Sequence, residues 1–271
     1  MKKYLILFGF LAMGLSNPLI ASDPEPHFFV RSTSNLFTNY EQWKVTKVTS
    51  ETNIFPLDIT MGTRIVSDEP ALNGNVGLFY SGIGKDSVAS ISSVGIAADW
   101  TPKLINTKPL SISVGMGVRA YWFSFFKEDE EKPEPSIKHL AQGTRFFDLG
   151  RTYQVRFDVY NRVALIANAE LASFSKTEDV KDYFKRMANG IVEGWAYSPI
   201  FLLDFGTIAG AVASSVSDEP TPVLTALCVV ANAGASYLRN YVARHNKHFP
   251  FDEVKVPLFV DRFNVGVEII F

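Results

Sequence analysis

Cysteine is almost missing from this chain of 271 residues: Cys228 stands alone, so no intramolecular disulfide can form. Charge of one sign is missing too, with 26 Lys and Arg set against 28 Asp and Glu. No basic cluster of the kind that tracks a phosphate backbone appears, which argues against nucleic acid as a partner. Past residue 21 no stretch of about twenty apolar residues runs free of charge or proline, which argues against an α-helical inner-membrane protein. Signs of catalysis are equally sparse. Ser198, Ser214 and Ser236 lack a Gly-x-Ser-x-Gly elbow, and no phosphate-cradling glycine loop or internal repeat is present. His245 and His248, with Asp252 and Glu253 nearby, carry ligand-type side chains. A His-x-x-His at a basic helix end serves the helix dipole as readily as a metal, so no metal and no cofactor is assigned.

What is present begins with residues 1–21. Lys2 and Lys3 precede an apolar run from Tyr4 to Leu15, and Leu19-Ile20-Ala21 offers a cleavage site before Ser22-Asp23-Pro24. This predicts a cleaved secretory signal peptide, followed by a single domain over 22–271. No cysteine follows the apolar run, so a lipid anchor at that site is excluded. A secreted chain without disulfides must take its stability from elsewhere. Closing a β-barrel in lipid would supply it.

Period-two alternation then recurs along the chain. Ile59, Met61, Thr63 and Ile65 oppose Asp58, Thr60, Gly62 and Arg64; Val76, Leu78 and Tyr80 oppose Gly77, Phe79 and Ser81; and Val94, Ile96, Ala98 and Trp100 oppose Gly95, Ala97 and Asp99. The clearest run is Leu110 to Trp122. Its odd partners Ser111, Ser113, Gly115, Gly117, Arg119 and Tyr121 share a face of small and polar side chains. Unbroken alternation of that length suits a strand that crosses a bilayer at a tilt. Tyr153 to Leu171 forms a further unit, with Asn161-Arg162 expected as a two-residue turn.

The last eleven residues, Asp261 to Phe271, carry the most pointed pattern. Phe263, Val265, Val267, Ile269 and Phe271 fall on one face, and only Ile270 breaks the alternation. The stretch resembles the terminal strand of bacterial outer-membrane β-barrels, in which a C-terminal Phe with apolar residues at every second position serves as the assembly signal. The resemblance covers about a twentieth of the chain. It implies an outer-membrane location in a diderm bacterium, contact with outer-membrane lipid, and recognition of the C-terminal strand by the barrel-assembly machinery.

Strands starting near His27, Asp58, Asn75, Ser90, Leu110, Phe146, Val163 and Val254 give an antiparallel transmembrane barrel of about eight strands, with ten to twelve as the alternative. In such a barrel Arg64, Asp99, Arg119, Arg156, Asp158, Glu170, Arg262 and Glu268 all point into one lumen. They form either a salt-bridged plug or a selectivity filter of paired charges. The longest connections fall together on one side, including an acidic, proline-broken loop from Phe125 to Arg145.

The segment 174–253 is expected to be a mainly helical insertion. Ser175 and Glu178 have capping-box spacing, and Val180, Phe184, Met187 and Ile191 follow at helical spacing. Pro222 to Arg244 keeps a 3.6-residue rhythm and is rich in small residues. It pairs with the apolar Pro199 to Val216 either as a close-packed helical hairpin or, on the other reading, the region from Trp195 to Val216 adds two strands. Whether the hairpin plugs the lumen, caps it or lies on the membrane is open at this level. The function expected is that of a structural or porin-like outer-membrane protein with no evident catalytic role. A barrel-embedded lipid-modifying hydrolase or acyltransferase, and a soluble periplasmic β-rich binding protein, are the alternatives.

Overall fold

The computed structural model describes residues 25–42, 48–51, 57–83, 89–107, 109–128, 148–160, 162–174, 180–217, 220–245 and 258–271. Ten strands follow one another along the chain: β1 Glu25–Gln42, β2 Val48–Glu51, β3 Leu57–Val66, β4 Gly74–Ile83, β5 Ala89–Trp100, β6 Lys103–Thr107, β7 Leu110–Glu128, β8 Asp148–Val159, β9 Val163–Phe174 and β10 Leu258–Ile270. A 3₁₀ turn at Pro70–Leu72 joins β3 to β4. Three helices lie between β9 and β10, here α1 Val180–Ala196, α2 Ser198–Val216 and α3 Pro222–His245.

Eight of the strands form an antiparallel meander in the order β1-β3-β4-β5-β7-β8-β9-β10, and β10 pairs back onto β1 from Phe29↔Ile270 to Gln42↔Leu258. The barrel is closed, and closure leaves no sheet edge unpaired around the ring. The two remaining strands are extensions of this frame. β2 pairs with the end of β1 that β3 does not reach, at Thr38–Glu41. β6 prolongs β5 along β7 beyond Thr101-Pro102, where proline has no N–H to give to the ladder.

Both ends of the barrel can be identified. The near rim carries the start of β1, the turn at 67–73, strand β6 with the start of β7, the β8–β9 turn, and Phe271. The far rim carries the opposite strand ends and both junctions to the helices. At the near rim the Asn73 side chain stitches the first turn, accepting from the Ser67 N–H at 3.1 Å and donating to the Glu69 carbonyl at 2.8 Å. The Trp100 indole donates to the Ala71 carbonyl at 2.8 Å.

Several expectations shift. The turn after β8 spans Tyr160 to Arg162, because Val159 pairs with Val163, and it is therefore one residue longer than Asn161-Arg162. Tyr160 takes φ 54°, and the Arg162 N–H closes the turn onto the Val159 carbonyl at 3.1 Å. β1 runs on to Gln42, past a bulge at Leu36, where the Asn35 side chain accepts from the Phe37 N–H at 3.0 Å. β7 likewise runs on to Glu128, with Trp122 as the extra residue opposite β5. The region 198–216 is helical throughout, which removes the reading in which it adds two strands. The signal-peptide segment 1–21 and most of the acidic loop lie outside the described residues.

The hairpin of α2 and α3 neither fills nor caps the lumen. It leans on the outside of the wall, where Ala211 and Val229 pack against Trp100 of β5 and Tyr153 of β8, with Val114, Met116 and Leu171 around them. The α2–α3 turn is at the near rim, since α2 meets the 3₁₀ turn and α3 meets β6. Small side chains let the helices approach closely, and a Cβ added at Gly210 would lie 3.0 Å from Cys228 Sγ. Between them Ser214 and Thr225 share a hydroxyl hydrogen bond of 2.8 Å.

The charged lumen as candidate functional site

Alternation along a strand sends every second side chain inward, and in an eight-strand barrel the interior is just wide enough for those side chains to fill it. Glycines on the inward rows make room for long neighbours. Gly62 and Gly77 face each other across β3 and β4, and a Cβ at Gly77 would lie 3.2 Å from the Phe29 ring. At Gly117 the added atom would meet the Asp99 and Thr152 side chains. The space is taken instead by arginines: Arg31, Arg64, Arg119 and Arg156 are all below 2% exposed, as are Glu170 and Glu268.

All eight charges read from the alternation, Arg64, Asp99, Arg119, Arg156, Asp158, Glu170, Arg262 and Glu268, lie inside the barrel, and all are buried. The structure divides them between two clusters and adds two members that the sequence pattern did not single out, Arg31 and Asp58. Nearer the near rim, Glu268 is the hub. It accepts from Arg31 Nε at 2.8 Å, lies 2.7 Å from Arg156 Nη1 and 3.8 Å from Arg64 Nη1. Arg31 reaches on to Asp99 at 2.8 Å, and Arg156 to Asp158 at 2.7 Å. Asn75, with its amide turned to suit both neighbours, accepts from Arg31 Nη2 at 2.7 Å and donates to Asp99 at 3.0 Å. Three guanidiniums therefore meet three carboxylates.

Nearer the far rim, Arg119 and Arg262 share Asp58 and Glu170. Arg119 donates to Asp58 and lies 3.3 Å from Glu170; Arg262 donates to Glu170 at 2.6 Å and to the Ser81 hydroxyl at 2.7 Å. The Arg119 guanidinium also sits over the Phe79 ring at 4.9 Å, and Phe79 meets Tyr121 edge-on at 5.0 Å. Thr152 joins the clusters by donating to Asp99 at 2.8 Å. Each cluster is neutral by itself. Lys103 sits buried at the near rim, donating to the Ser67 carbonyl at 3.0 Å. Phe29 and Ile270, paired across β1 and β10, place apolar side chains below the hub, so the residue that breaks the terminal alternation turns inward.

The outer face of the wall is the inverse. Leu78, Val118, Val155 and Leu165 are each more than half exposed there. Among the terminal-strand residues, Phe263, Val267, Ile269 and Phe271 also face outward and are exposed, and Val265 on the same face is partly covered. The Phe271 ring lies 6.0 Å from that of Phe28, and its N–H donates to the Phe28 carbonyl at 2.8 Å.

Of the groups weighed for a metal, only His245 is among the described residues. Ser214 is bonded to Thr225 within the hairpin, while Ser236 is bonded to Tyr153 and Arg151 of the wall, with Tyr153 Oη at 2.6 Å. That last contact belongs to a second polar group missed from sequence. Asp204 of α2, 2% exposed, lies 2.6 Å from Arg151 of β8 and 3.6 Å from Arg239 of α3. Asn232 donates to it at 2.8 Å and accepts from Tyr153 at 2.8 Å. Arg151 and Tyr153 belong to the outward row of β8, so this network clasps the hairpin to the barrel.

No family model matches the chain, and no curated protein matches it in sequence. Among solved structures, Neisserial surface protein A (NspA) is similar at 8% identity, with 92% of this chain and 100% of that chain covered and a TM-score of 0.37. Ail, the attachment invasion locus protein of Yersinia pestis, is similar at 9% identity over 92% and 100% of the two chains, with a TM-score of 0.36.

Proposed function

We propose that this chain is an integral outer-membrane protein of a diderm bacterium, a small barrel whose lumen is closed by its own charges and which acts as a structural element of the membrane, not as a pore. The observation that carries the reading is the inverted polarity of the barrel: five arginines and five carboxylates are buried inside, while the outward rows expose large apolar side chains such as Leu78, Val118, Val155 and Leu165. In water that arrangement would place the costly groups in the core and the apolar ones in solvent. In a bilayer it is the economical one. A strand of 10 residues such as β3, tilted by about 40°, rises about 25 Å, which matches the apolar band of membrane barrels.

The export signal in residues 1–21 and the terminal pattern ending at Phe271 support the same location and the same route of assembly, through the barrel-assembly machinery. Between a plug and a selectivity filter, the plug is favoured, because each cluster pairs equal numbers of buried guanidiniums and carboxylates and so offers no net sign of charge to select for. The test is electrophoretic and electrical. Protein from outer membranes should migrate faster unheated than boiled, deletion of Phe271 should abolish that form, and the folded protein should show no unitary conductance steps in planar bilayers. Recovery from the soluble periplasm with unchanged migration would refute the membrane reading, and regular conductance steps would refute the plug.

A further inference from the structure

We propose that the α2–α3 hairpin crosses the bilayer flush against the barrel, with lipid hydrocarbon as the occupant of its free face. The inference rests on the barrel standing in a membrane, and it adds a helical span to a wall made of strands. The hairpin covers the full height of that wall: it leaves the far rim, turns at the near rim beside the 3₁₀ turn, and returns. With 19 residues, α2 is about 28 Å long, the thickness of a hydrocarbon core.

Its surface is divided accordingly. Leu202, Phe205, Val223, Leu227 and Val230 are exposed by 61% or more and face away from the barrel. Only 22% of the most apolar stretch of α2 is covered by the rest of the protein, so it is not the core helix of a soluble domain. Between Ser198 and Leu238 the helices carry a single charge, Asp204, and it is turned to the wall. There it meets Arg151 and Asn232, so the polar groups at this depth are paired within the protein, as hydrocarbon requires. The free face continues the apolar exterior of β7, β8 and β9, where Val118, Val155 and Leu165 are exposed. An aqueous position would leave one unbroken apolar surface, barrel and hairpin together, half in lipid and half in water.

The experiment uses single-cysteine variants L202C, F205C, L227C and V230C in a C228A background, with L165C on the wall as reference. Each is purified as the heat-modifiable form, folded into phosphatidylcholine vesicles and spin-labelled. Collision with oxygen and with a water-soluble nickel chelate then reports what surrounds each label. The expected result is oxygen favoured over nickel at the hairpin sites as strongly as at Leu165. Nickel favoured at the hairpin while oxygen is favoured at Leu165 would overturn the inference and leave the membrane barrel intact. Exclusion of both agents with spin–spin broadening would put a second copy on the face and also overturn it. Nickel favoured at Leu165 itself would bring down the membrane reading and this one with it.

Discussion

Replacing Glu268 by Gln tests whether charge balance in the lumen holds this barrel together. The substitution keeps the volume and removes one charge from a carboxylate that is fully buried and meets Arg31, Arg156 and Arg64. Three guanidiniums are then left with Asp99 and Asp158. Removing one partner from a buried ionic group costs about 3–5 kcal/mol, because the orphaned charge keeps its desolvation penalty. At a urea slope of about 2 kcal/mol per molar, a loss of about 3 kcal/mol lowers the unfolding midpoint by about 1.5 M.

The assay is urea unfolding of the vesicle-folded protein, followed by fluorescence of the wall tryptophans Trp100 and Trp122 and by heat-modifiable migration. The same geometry sets a rescue. Arg64 is the least firmly held guanidinium of the cluster: its nearest carboxylate oxygen is 3.8 Å away, and its Nε and Nη1 have no hydrogen-bond partner. Arg64→Met alone should therefore cost less than Glu268→Gln. The double variant restores two cations to two anions and should recover at least about 1 kcal/mol relative to Glu268→Gln. A loss below about 0.5 kcal/mol for Glu268→Gln, or simple additivity in the double variant, would refute the reasoning.

Gly62→Val should abolish the heat-modifiable form on a gel, because the inward Cβ would run into the Val76 carbonyl oxygen and the Gly77 Cα, backbone atoms that can yield only by opening the β3–β4 ladder; Gly190→Ala, in open space on α1, should fold normally. Tyr160→Asn should raise stability by about 1 kcal/mol in the same urea titration, since asparagine tolerates positive φ better than an aromatic residue and the tyrosine ring is exposed. Asp204→Ala leaves Arg151 and Arg239 without their shared carboxylate, and limited trypsin digestion of vesicle-bound protein should then cut the helical insertion much faster while the barrel fragment still migrates as folded.

How much of this could be read in advance depended on the contrast between the two faces of each strand. β7 was plain because Leu110 to Trp122 alternates large apolar with small or polar residues, and the inward charges of β3, β5, β7, β8, β9 and β10 followed from it. β1 was not, because Ser32 and Ser34 occupy its outward row beside Val30, and the bulge at Leu36 breaks the period; Arg31 was lost with it. Asp58 was seen on a polar face, but its role depends on Arg119 arriving from 61 residues away. The Tyr160 turn carries no glycine to announce its positive φ. The hairpin was legible as two close-packed helices through their small residues, but its place outside the barrel was not. That place is set by Arg151, which looks misplaced in an outward row until its partner Asp204, 53 residues on, is brought to it.

Polar contacts accordingly decide both interfaces of this wall. On the inside, the charges help to specify which strands meet, and their pairing ties β10 to β1, β3 and β8 through Glu268 alone. On the outside, in the bilayer proposed above, lipid would compete with the wall for the apolar face of the hairpin on nearly equal terms, so apolar contact would not fix where the hairpin sits. Arg151 and Tyr153 can, because an unpaired guanidinium or phenol at that depth has no solvent to turn to, and Asp204, Asn232 and Ser236 are the groups that meet them. One helical turn of slippage of the whole hairpin moves Asp204, Asn232 and Ser236 by about 5 Å and breaks all of those contacts together, whereas the apolar packing around Trp100 would find near-equivalent partners. The register of the hairpin is therefore written in five polar side chains, and the apolar residues that face the other way are left to the lipid that the proposal places there.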